Sequence, residues 1–358
     1  MIYGSLDTLS GGYLYDRKLV EFLRARGDDV RIISLPWRNY AAHLGDNLVF
    51  RLPADLDLII EDELNHPSLL AANRRKSVPV ISLVHHLRCS ELRPAWQNAF
   101  YRLIERRYLK SVDGFIFNSQ TTRSVVTGMI GDNKPNIVAY PPTDRFGTSL
   151  PESVVRARAA QPGPLRILFL GNVIPRKGLH TLLKALLPQS TQRGTKENLF
   201  ALDIVGSLNV DPTYAREMQS LASVLGPPSS VHFYGPLDNA LLAEKLKSAH
   251  VLVVPSSYEG FGIVYLEGMA FGLPSIGTTA GAAGEIIRDG ESGYLITPED
   301  AETLVARLLA LAVDRSLLTR LSLQALKRYQ QQPTWEQTAG EIRGFLHLVS
   351  DSFGDLAI

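Results

Sequence analysis

The sequence has very little cysteine and almost no net charge. Cys89 is the single cysteine of 358 residues, which excludes an intrachain disulfide framework and a cysteine-rich zinc site. The 37 Lys and Arg residues nearly balance 36 Asp and Glu residues, and the net charge of +1 indicates no nucleic-acid partner. The cysteine content favours a reducing compartment.

Long apolar runs and a secretory signal pattern are also absent. No run reaches the roughly 18 apolar residues needed to span a bilayer, and the N-terminus lacks a basic segment followed by an apolar one. Hydrophobic residues make up 45% of the chain, as in ordinary globular proteins. We therefore expect a cytoplasmic protein, with peripheral contact at the inner membrane face left open.

The length and the hydrophobic pattern predict two α/β domains. Short β-branched runs alternate with segments of helical period, which is typical of parallel sheets with crossover helices. The predicted strands are 30–34, 56–60, 78–84, 114–118, 136–140, 165–171, 199–206, 230–234, 250–255 and 274–278. The predicted helices are 12–26, 94–111, 177–187, 239–249, 263–272, 298–311 and 335–350.

Proline and glycine concentrate between the two alternating series. We interpret this stretch, 141–164, as a linker. It separates a first domain (1–150) from a second domain (151–334), and a C-terminal helix (335–358) is expected to pack back on the first domain. Such α/β domains bind ligands at the carboxyl ends of their strands, so we expect a cleft between the two sheets.

The densest motif is PSSYEGFGIVYLEGMA, residues 255–270. A buried strand is expected to end before a glycine-bearing turn, and a helix to open near Gly262. The backbone N–H groups around Gly260, Phe261, Gly262 and Ile263 would then form an anion site suited to a diphosphate.

Two glutamates lie in this motif. Glu259 is placed in the turn, where its carboxylate can accept hydrogen bonds from sugar hydroxyls, and Glu267 is placed about one turn into the helix, where it could hold a ribose diol. The alternative is structural: Glu259 caps the helix and Glu267 is solvated.

This pair, with seven residues between its members, resembles the signature of the retaining glycosyltransferases of family GT4. Other segments that resemble the family in order and spacing are 205–206, 231–235, 250–255 and 281–293. The resemblance implies the GT-B fold, in which the parallel sheets of two Rossmann-like domains face each other across a cleft. It implies that domain 1–150 is the acceptor side and that domain 151–334 binds the nucleotide-sugar donor. It assigns Glu259 to the donor sugar and Glu267 to the ribose.

The motif FLGNVIPRKG, residues 169–178, follows the first strand of the second domain. Arg176 and Lys177 at a strand end are suited to neutralise a departing diphosphate, since developing charge must be stabilised. The family resemblance supports Lys177, but Asn172 stands where the family usually has an arginine. Arg176 either replaces that charge or is a surface residue.

A second glycine-rich turn, Ser10-Gly11-Gly12, follows an abbreviated first strand, for which only residues 1–4 are available. Its backbone amides could face a donor phosphate or an acceptor, as in the family's N-terminal glycine-rich loop. A plain strand-to-helix turn is the alternative.

His85 and His86 end the predicted strand 78–84. The family has a histidine here that meets the donor sugar near its anomeric carbon, and His85 matches it best, whereas His86 is either a second contact or a packing residue. We reject a metal site, because adjacent side chains point apart and no carboxylate cluster accompanies them.

Two further segments have both a functional and a structural interpretation. Residues 118–122, NSQTT, could contact the acceptor or simply cap a helix. Glu285 resembles a family acid near the nucleotide, and an acid favoured by the helix dipole is its alternative.

The predicted helix 94–111 is basic and aromatic. It could lie on an anionic membrane, which would suit a lipid-linked acceptor, or pack its aromatic stripe on the sheet.

Together these features predict metal-independent transfer of a sugar from a nucleotide-diphosphate sugar, as co-substrate, to a carbohydrate, lipid-linked or small-molecule acceptor. Retention of anomeric configuration is implied by the resemblance, and no other cofactor is expected. The alternatives are a nucleotide-sugar epimerase, a phosphorylase carrying pyridoxal phosphate, and an inactive nucleotide-sugar sensor or partner subunit.

Overall fold

The computed structural model describes residues 1–8, 11–142, 145–147, 149–187, 199–224 and 230–354. The chain divides into two compact units: unit 1 comprises Met1–Pro142 and Pro333–Ile358, and unit 2 comprises Thr143–Gln332.

Strands and helices alternate along most of the chain. The strands are β1 (Ile2–Tyr3), β2 (Ser34–Leu35), β3 (Ile59–Asp62), β4 (Val80–Val84), β5 (Gly114–Phe117), β6 (Asn136–Val138), β7 (Leu165–Leu170), β8 (Phe200–Val205), β9 (Ser230–Gly235), β10 (Val251–Val253), β11 (Ser275–Thr278) and β12 (Gly293–Ile296). The α-helices are α1 (Gly11–Ala25), α2 (Tyr40–Asp46), α3 (His66–Leu69), α4 (Ala95–Ser111), α5 (Gln120–Ile130), α6 (Glu152–Ala159), α7 (Leu179–Leu186), α8 (Pro212–Ser223), α9 (Asn239–Ser248), α10 (Ile263–Ala270), α11 (Ala283–Ile286), α12 (Ala301–Val313), α13 (Arg315–Gln330) and α14 (Trp335–Gly354).

Unit 1 is built on a parallel sheet of order β3-β4-β5-β6, and β1 and β2 form a separate parallel pair. The side chains of β4 alternate between two buried faces. Ile81 and Leu83 pack with buried residues of α1 and α14, whereas Val80 and Val84 pack with buried residues of α4. A strand buried on both faces needs a nearly continuous apolar sequence, which the segment VISLV supplies.

Unit 2 contains a six-stranded parallel sheet of order β12-β11-β10-β7-β8-β9. The chain runs outward from β7 to β8 and β9, and then returns to the other side of β7 with β10. The carboxyl ends of β7 and β10 are therefore neighbours at the point where the strand order reverses. This switch point is where open α/β sheets bind ligands, and the loops after both strands leave the sheet there.

The stretch 141–164, predicted to be a linker, contains helix α6. Val155 and Ala159 are buried, and the guanidinium of Arg158 donates hydrogen bonds to carbonyl oxygens just after α10. An eight-residue helix between prolines is too short for its period to stand out, which explains why the pattern does not predict it.

Several boundaries also differ from the predicted ones. The predicted strand 30–34 is reduced to β2, because its partner β1 has only two residues with which to pair. The pattern does not predict α8, α13 or β12. None of the described helices is both long enough and apolar enough to cross a membrane.

Candidate active site

The loops that follow β7 and β10 are tied together in unit 2. The backbone N–H of Ser257 donates to the carbonyl oxygen of Arg176 at 2.8 Å, and the Arg176 guanidinium donates to the carbonyl oxygen of Tyr258 at 3.0 Å. Gly178 has φ +71°, and a Cβ there would lie 2.0 Å from the carbonyl oxygen of Pro255. Only glycine permits this close approach of the two loops.

Glu259 is a buried carboxylate between these loops. Its Oε1 accepts hydrogen bonds from Lys177 Nζ at 2.5 Å and from Ser256 Oγ at 2.6 Å, and its Oε2 lies 3.7 Å from Arg176 Nη1. Burial opposes ionisation, but the charges of Lys177 and Arg176 outweigh it and lower the pKa of Glu259 to about 2. Two cations therefore face one carboxylate, which leaves positive charge available to an anion.

Helix α10 begins directly beside this group. Gly262 precedes it with φ +94°, where a Cβ would lie 2.6 Å from the ring of Tyr265. The first N–H groups of a helix have no partner within the helix and carry its positive dipole end. Gly260, Phe261 and Gly262 lead directly from Glu259 into Ile263, the first residue of this helix.

Glu267 is buried on α10, with its side chain 4% exposed. Its Oε1 accepts a hydrogen bond from Arg145 Nη1 at 3.0 Å. Burial raises the pKa of Glu267, and Arg145 opposes that rise. The interpretation of Glu267 as a solvated helix residue is therefore wrong.

The described contacts of Asn172 and Glu285 in unit 2 differ from the functional ones expected for them. Oδ1 of Asn172 accepts the backbone N–H of Ser207 at 3.4 Å, so its side chain connects the loops after β7 and β8. Glu285 lies in the short helix α11, and its carbonyl oxygen accepts a hydrogen bond from Arg328. Residue 172 thus supplies a loop contact, while Arg176 supplies a charge near Glu259.

In unit 1, His85 is held by acidic side chains. Its Nε2 lies 2.9 Å from Asp16 Oδ1, and the carboxylate of Asp62 is close by. Burial disfavours the imidazolium, but the carboxylates of Asp16 and Asp62 outweigh burial and raise the pKa of His85 to about 9. His85 is therefore positively charged at neutral pH.

The glycine-rich turn lies against this histidine. Helix α1 begins at Gly11, and a Cβ on Gly12 would approach His85 Cδ2 to 3.2 Å. Ser10, the first residue of the predicted turn, lies outside the described residues. The absence of a side chain at residue 12 therefore leaves room for the His85 ring.

The carboxylates around His85 correct the expectation that no acidic cluster accompanies the two histidines. Ligand-type atoms of Asp16, Asp62 and His85 lie within 4.8 Å of one another. His86 points to a different partner, since its Nε2 lies 2.9 Å from Glu91 Oε1. The two adjacent rings therefore have separate surroundings.

Four residues that contact the candidate site residues are not among the predicted ones: Asp16, Asp62, Arg145 and Ser256. The acidic run 61–63 at the end of β3 signals a carboxylate at a sheet edge, and Asp16 is an acid on the buried face of α1. Ser256 lies within the motif itself. Arg145 has no comparable signal, because its contact with Glu267 joins residues 122 positions apart.

Within the segment 118–122, Ser119 caps α5 and Asn118 contacts the backbone of His85. The hydroxyl of Ser119 accepts the backbone N–H of Thr122 at 3.0 Å, and Asn118 Nδ2 donates to the carbonyl oxygen of His85 at 2.8 Å. These contacts fix the backbone of His85 to the start of α5.

Unit 2 also has a basic pocket away from these loops. It encloses about 710 Å³ and is lined by Arg158, Arg166 and Lys247, with small and apolar residues of α6. Because Arg158 and Arg166 hydrogen-bond carbonyl oxygens, we assign the pocket a structural role.

Comparison with known proteins identifies the class of fold. Residues 154–328 match the family described as glycosyl transferases group 1. The D-inositol 3-phosphate glycosyltransferase of Geodermatophilus obscurus is 26% identical over 242 residues, which cover 66% of this chain and 53% of the relative. The matched part spans about half the length of such curated relatives.

Two solved structures resemble the whole chain. Sucrose-phosphate synthase from Thermosynechococcus elongatus superposes with a TM-score of 0.76 at 21% identity, covering 98% of each chain. HepE from Anabaena, solved in complex with UDP-glucose, has a TM-score of 0.73 at 17% identity and covers 97% of this chain and 98% of its own. These structural matches confirm the predicted GT-B fold, and the family match of residues 154–328 supports the predicted resemblance to a glycosyltransferase family.

Proposed function

We propose that this chain, whose residues 154–328 match the glycosyl transferases group 1 family, transfers a sugar from a nucleotide-diphosphate sugar to an acceptor hydroxyl. One observation carries the proposal: Lys177 and Arg176 meet Glu259 beside the amino end of α10. Relatives named as glycosyltransferases and a similar fold solved with UDP-glucose support it.

The diphosphate binds to the cationic edge of unit 2. Lys177 and Arg176 neutralise its charge as it departs, and the N–H groups around Gly260–Ile263 donate hydrogen bonds to its oxygens. Such preorganised donors stabilise charge that develops in the transition state and commonly contribute several kcal/mol. Glu259 keeps both cations oriented and accepts hydrogen bonds from the donor sugar, while Glu267 accepts those of the ribose.

In unit 1, His85 acts on the transferred sugar, and Gly11 and Gly12 offer backbone amides to donor or acceptor. Retention of configuration and independence from metal ions belong to the proposal through the resemblance to family GT4. The two cations near Glu259 can supply the positive charge that a metal ion would otherwise bring to the diphosphate.

The acceptor is a carbohydrate, a small molecule or a lipid-linked group, and helix α4 favours the lipid-linked class. Trp96 is 72% exposed, and Phe100 and Leu103 are also exposed, whereas Tyr108 of the same helix is buried. Exposed cations accompany them on this helix: Arg102, Arg106, Arg107 and Lys110. Aromatic and basic side chains exposed together suit an anionic membrane surface.

Sedimentation with anionic and neutral vesicles tests this membrane contact. The protein should sediment with anionic vesicles only, and both Trp96→Ser and the pair Arg106→Gln, Arg107→Gln should release it. Leu348→Ser, at an exposed apolar residue of α14, is the control. Equal recovery in the supernatant with both vesicle types would contradict the contact.

Calorimetry with UDP, GDP, ADP and their sugars tests the donor site. One nucleotide series should bind, and Lys177→Ala should weaken its binding.

Product analysis with and without an acceptor then separates transfer from epimerisation, because an epimerase needs no acceptor. If no member of the three series binds, the proposed function is wrong; if a donor binds but no product forms with any acceptor class, a sensor or partner subunit is favoured.

A further inference from the structure

Glu267 is a charged residue on a helix whose neighbours are buried. Tyr265, Leu266, Gly268 and Met269 beside it are almost inaccessible to solvent. A carboxylate in such surroundings ionises only if a partner compensates for its lost hydration. What maintains the charge of Glu267 therefore decides whether it can accept hydrogen bonds from a ribose.

Arg145 is that partner. Its Nη1 donates to Glu267 Oε1 at 3.0 Å, and among the described residues it is the charged group that acts on the Glu267 carboxyl. The cations Lys177 and Arg176 act on Glu259 instead. The two glutamates of the motif thus have separate cationic partners.

Arg145 is itself held in place from two further sides. Its Nε donates to Oδ1 of Asn239, the first residue of α9, at 2.9 Å. Its guanidinium lies 5.3 Å from the ring centre of Phe146, and Phe146 packs edge-on against Phe271 at 5.2 Å. Because the Arg145 guanidinium is held by these contacts, it fixes the orientation of the Glu267 carboxylate.

The two oxygens of Glu267 differ in their contacts. Oε1 accepts a hydrogen bond from Arg145. Oε2 accepts no hydrogen bond from the described part of the chain, and it is not completely buried. A carboxylate offers about four acceptor sites. Arg145 can therefore remain bound while Oε2 and the second lone pair of Oε1 receive hydroxyl groups.

We propose that Arg145 is a positioning residue of the donor site, which holds Glu267 as an oriented carboxylate so that it can accept the ribose hydroxyls. This inference rests on the proposed function, in which Glu267 binds the ribose. Arg145 lies outside every motif of the sequence and acts through Glu267, without contact to the transferred sugar.

The proposal has a pH signature. Burial raises the pKa of Glu267, and Arg145 opposes that rise, so loss of Arg145 raises the pKa further. In a variant without Arg145, Glu267 becomes protonated at a higher pH than in the wild type and loses acceptor sites. Donor affinity of the variant must therefore decline at a higher pH as the solution is acidified.

Calorimetry of the nucleoside diphosphate that binds the wild type, measured over roughly pH 5–9, tests this. Arg145→Ala should weaken binding about tenfold at the acidic end, which is the effect of one pKa unit, and less at the alkaline end. Arg145→Lys should restore part of the affinity, because it keeps a charge. Arg307→Ala removes an exposed arginine of α12, which lies over the ring of Tyr294, and should change nothing.

A second variant separates orientation from charge. Asn239→Ala removes one anchor of Arg145 but leaves its charge, so it should weaken binding slightly with no displacement of the pH profile. Thermal melts of each variant establish that it is folded.

Three results would overturn the inference in different ways. If Arg145→Ala binds as the wild type does at every pH, Arg145 has no role at the donor site. If it weakens binding by the same factor at every pH, Arg145 contacts the donor directly and does not act through Glu267. If the wild type binds none of the nucleotides, the proposed function fails, and the inference fails with it.

Discussion

Two of the buried charge clusters in the described residues, one around Glu259 in unit 2 and one around His85 in unit 1, have opposite compositions. Around Glu259, one carboxylate faces the two cations Lys177 and Arg176. Around His85, one imidazole faces the carboxylates of Asp16 and Asp62. The pKa of Glu259 is lowered to about 2 and that of His85 is raised to about 9, so both groups are charged at neutral pH.

This contrast indicates which ligand charge each cluster suits. The cluster in unit 2 has more positive than negative charge and suits an anionic diphosphate, whereas the cluster in unit 1 has more carboxylates than cations. A residue that a motif identifies therefore does not determine its own charge state. The neighbouring residue fixes its ionisation, and variants of these neighbours test how the two clusters differ.

The largest effect is expected for Lys177→Ala. It removes the cation closest to Glu259, so the departing diphosphate loses a charge-assisted contact, and kcat should fall by about 100- to 1000-fold. Steady-state transfer kinetics measure this. Lys177→Arg should keep more activity, and Lys184→Ala, at an exposed lysine of α7, should behave as the wild type. An unchanged kcat in Lys177→Ala would remove Lys177 from the mechanism.

Asp16→Asn is expected to have the next largest effect. It removes the Asp16 carboxylate that is hydrogen-bonded to His85, so the pKa of His85 should fall from about 9 towards its ordinary value near 6.5. Because the folded pKa lies above the unfolded one, the pair stabilises the fold below about pH 6.5 and loses this contribution as pH rises through about 9. The variant should therefore lose less stability than the wild type over that interval.

Imidazole titration by NMR and melting curves at several pH values measure these two effects of Asp16→Asn. The resonances of His86, which pairs with Glu91, serve as an internal control. A His85 pKa that stays near 9 in the variant would show that Asp16 does not determine the charge.

A smaller effect is expected at Arg176. Arg176→Ala should lower kcat/KM about tenfold, because its 3.7 Å separation from Glu259 makes it the weaker of the two cationic partners. If Arg176 replaces the arginine usual at position 172, adding Asn172→Arg to that variant should restore part of the rate. Absence of any loss in Arg176→Ala would assign Arg176 to loop structure alone, through its bond to the carbonyl of Tyr258.

The smallest effect is expected at His86. Its ring pairs with Glu91 and does not meet the acidic cluster of His85. His86→Ala should change kcat/KM by no more than about twofold, as at most surface positions, whereas His85→Ala should cause a much larger loss. Equal losses in the two variants would show that the two histidines are not functionally separate.

Much of the fold is predictable because it depends on local pattern. The alternation of β-branched runs with helical periods predicts the parallel sheets, and β4 and β7 begin and end close to their predicted positions. Helix α6 is not predicted, because prolines conceal it, and the predicted strand 30–34 is shortened to β2, because its pairing depends on a two-residue partner.

The candidate site is predictable only where its residues share one motif or follow one strand. Glu259, Glu267 and Lys177 fall in the two densest motifs, so the sequence selects them. Arg145 and Asp16 become neighbours of Glu267 and His85 only through folding, across 122 and 69 positions. No local pattern encodes such a distance, and the pKa shifts that these neighbours cause are likewise invisible in sequence.

A crystal structure of the chain with the nucleoside diphosphate that binds it most tightly would show where the diphosphate lies. We expect the diphosphate oxygens within hydrogen-bond distance of Lys177 Nζ and of the first backbone N–H groups of α10, with the ribose at Glu267. A diphosphate bound instead in the basic pocket of Arg158, Arg166 and Lys247, with Lys177 still paired only with Glu259, would contradict this expectation.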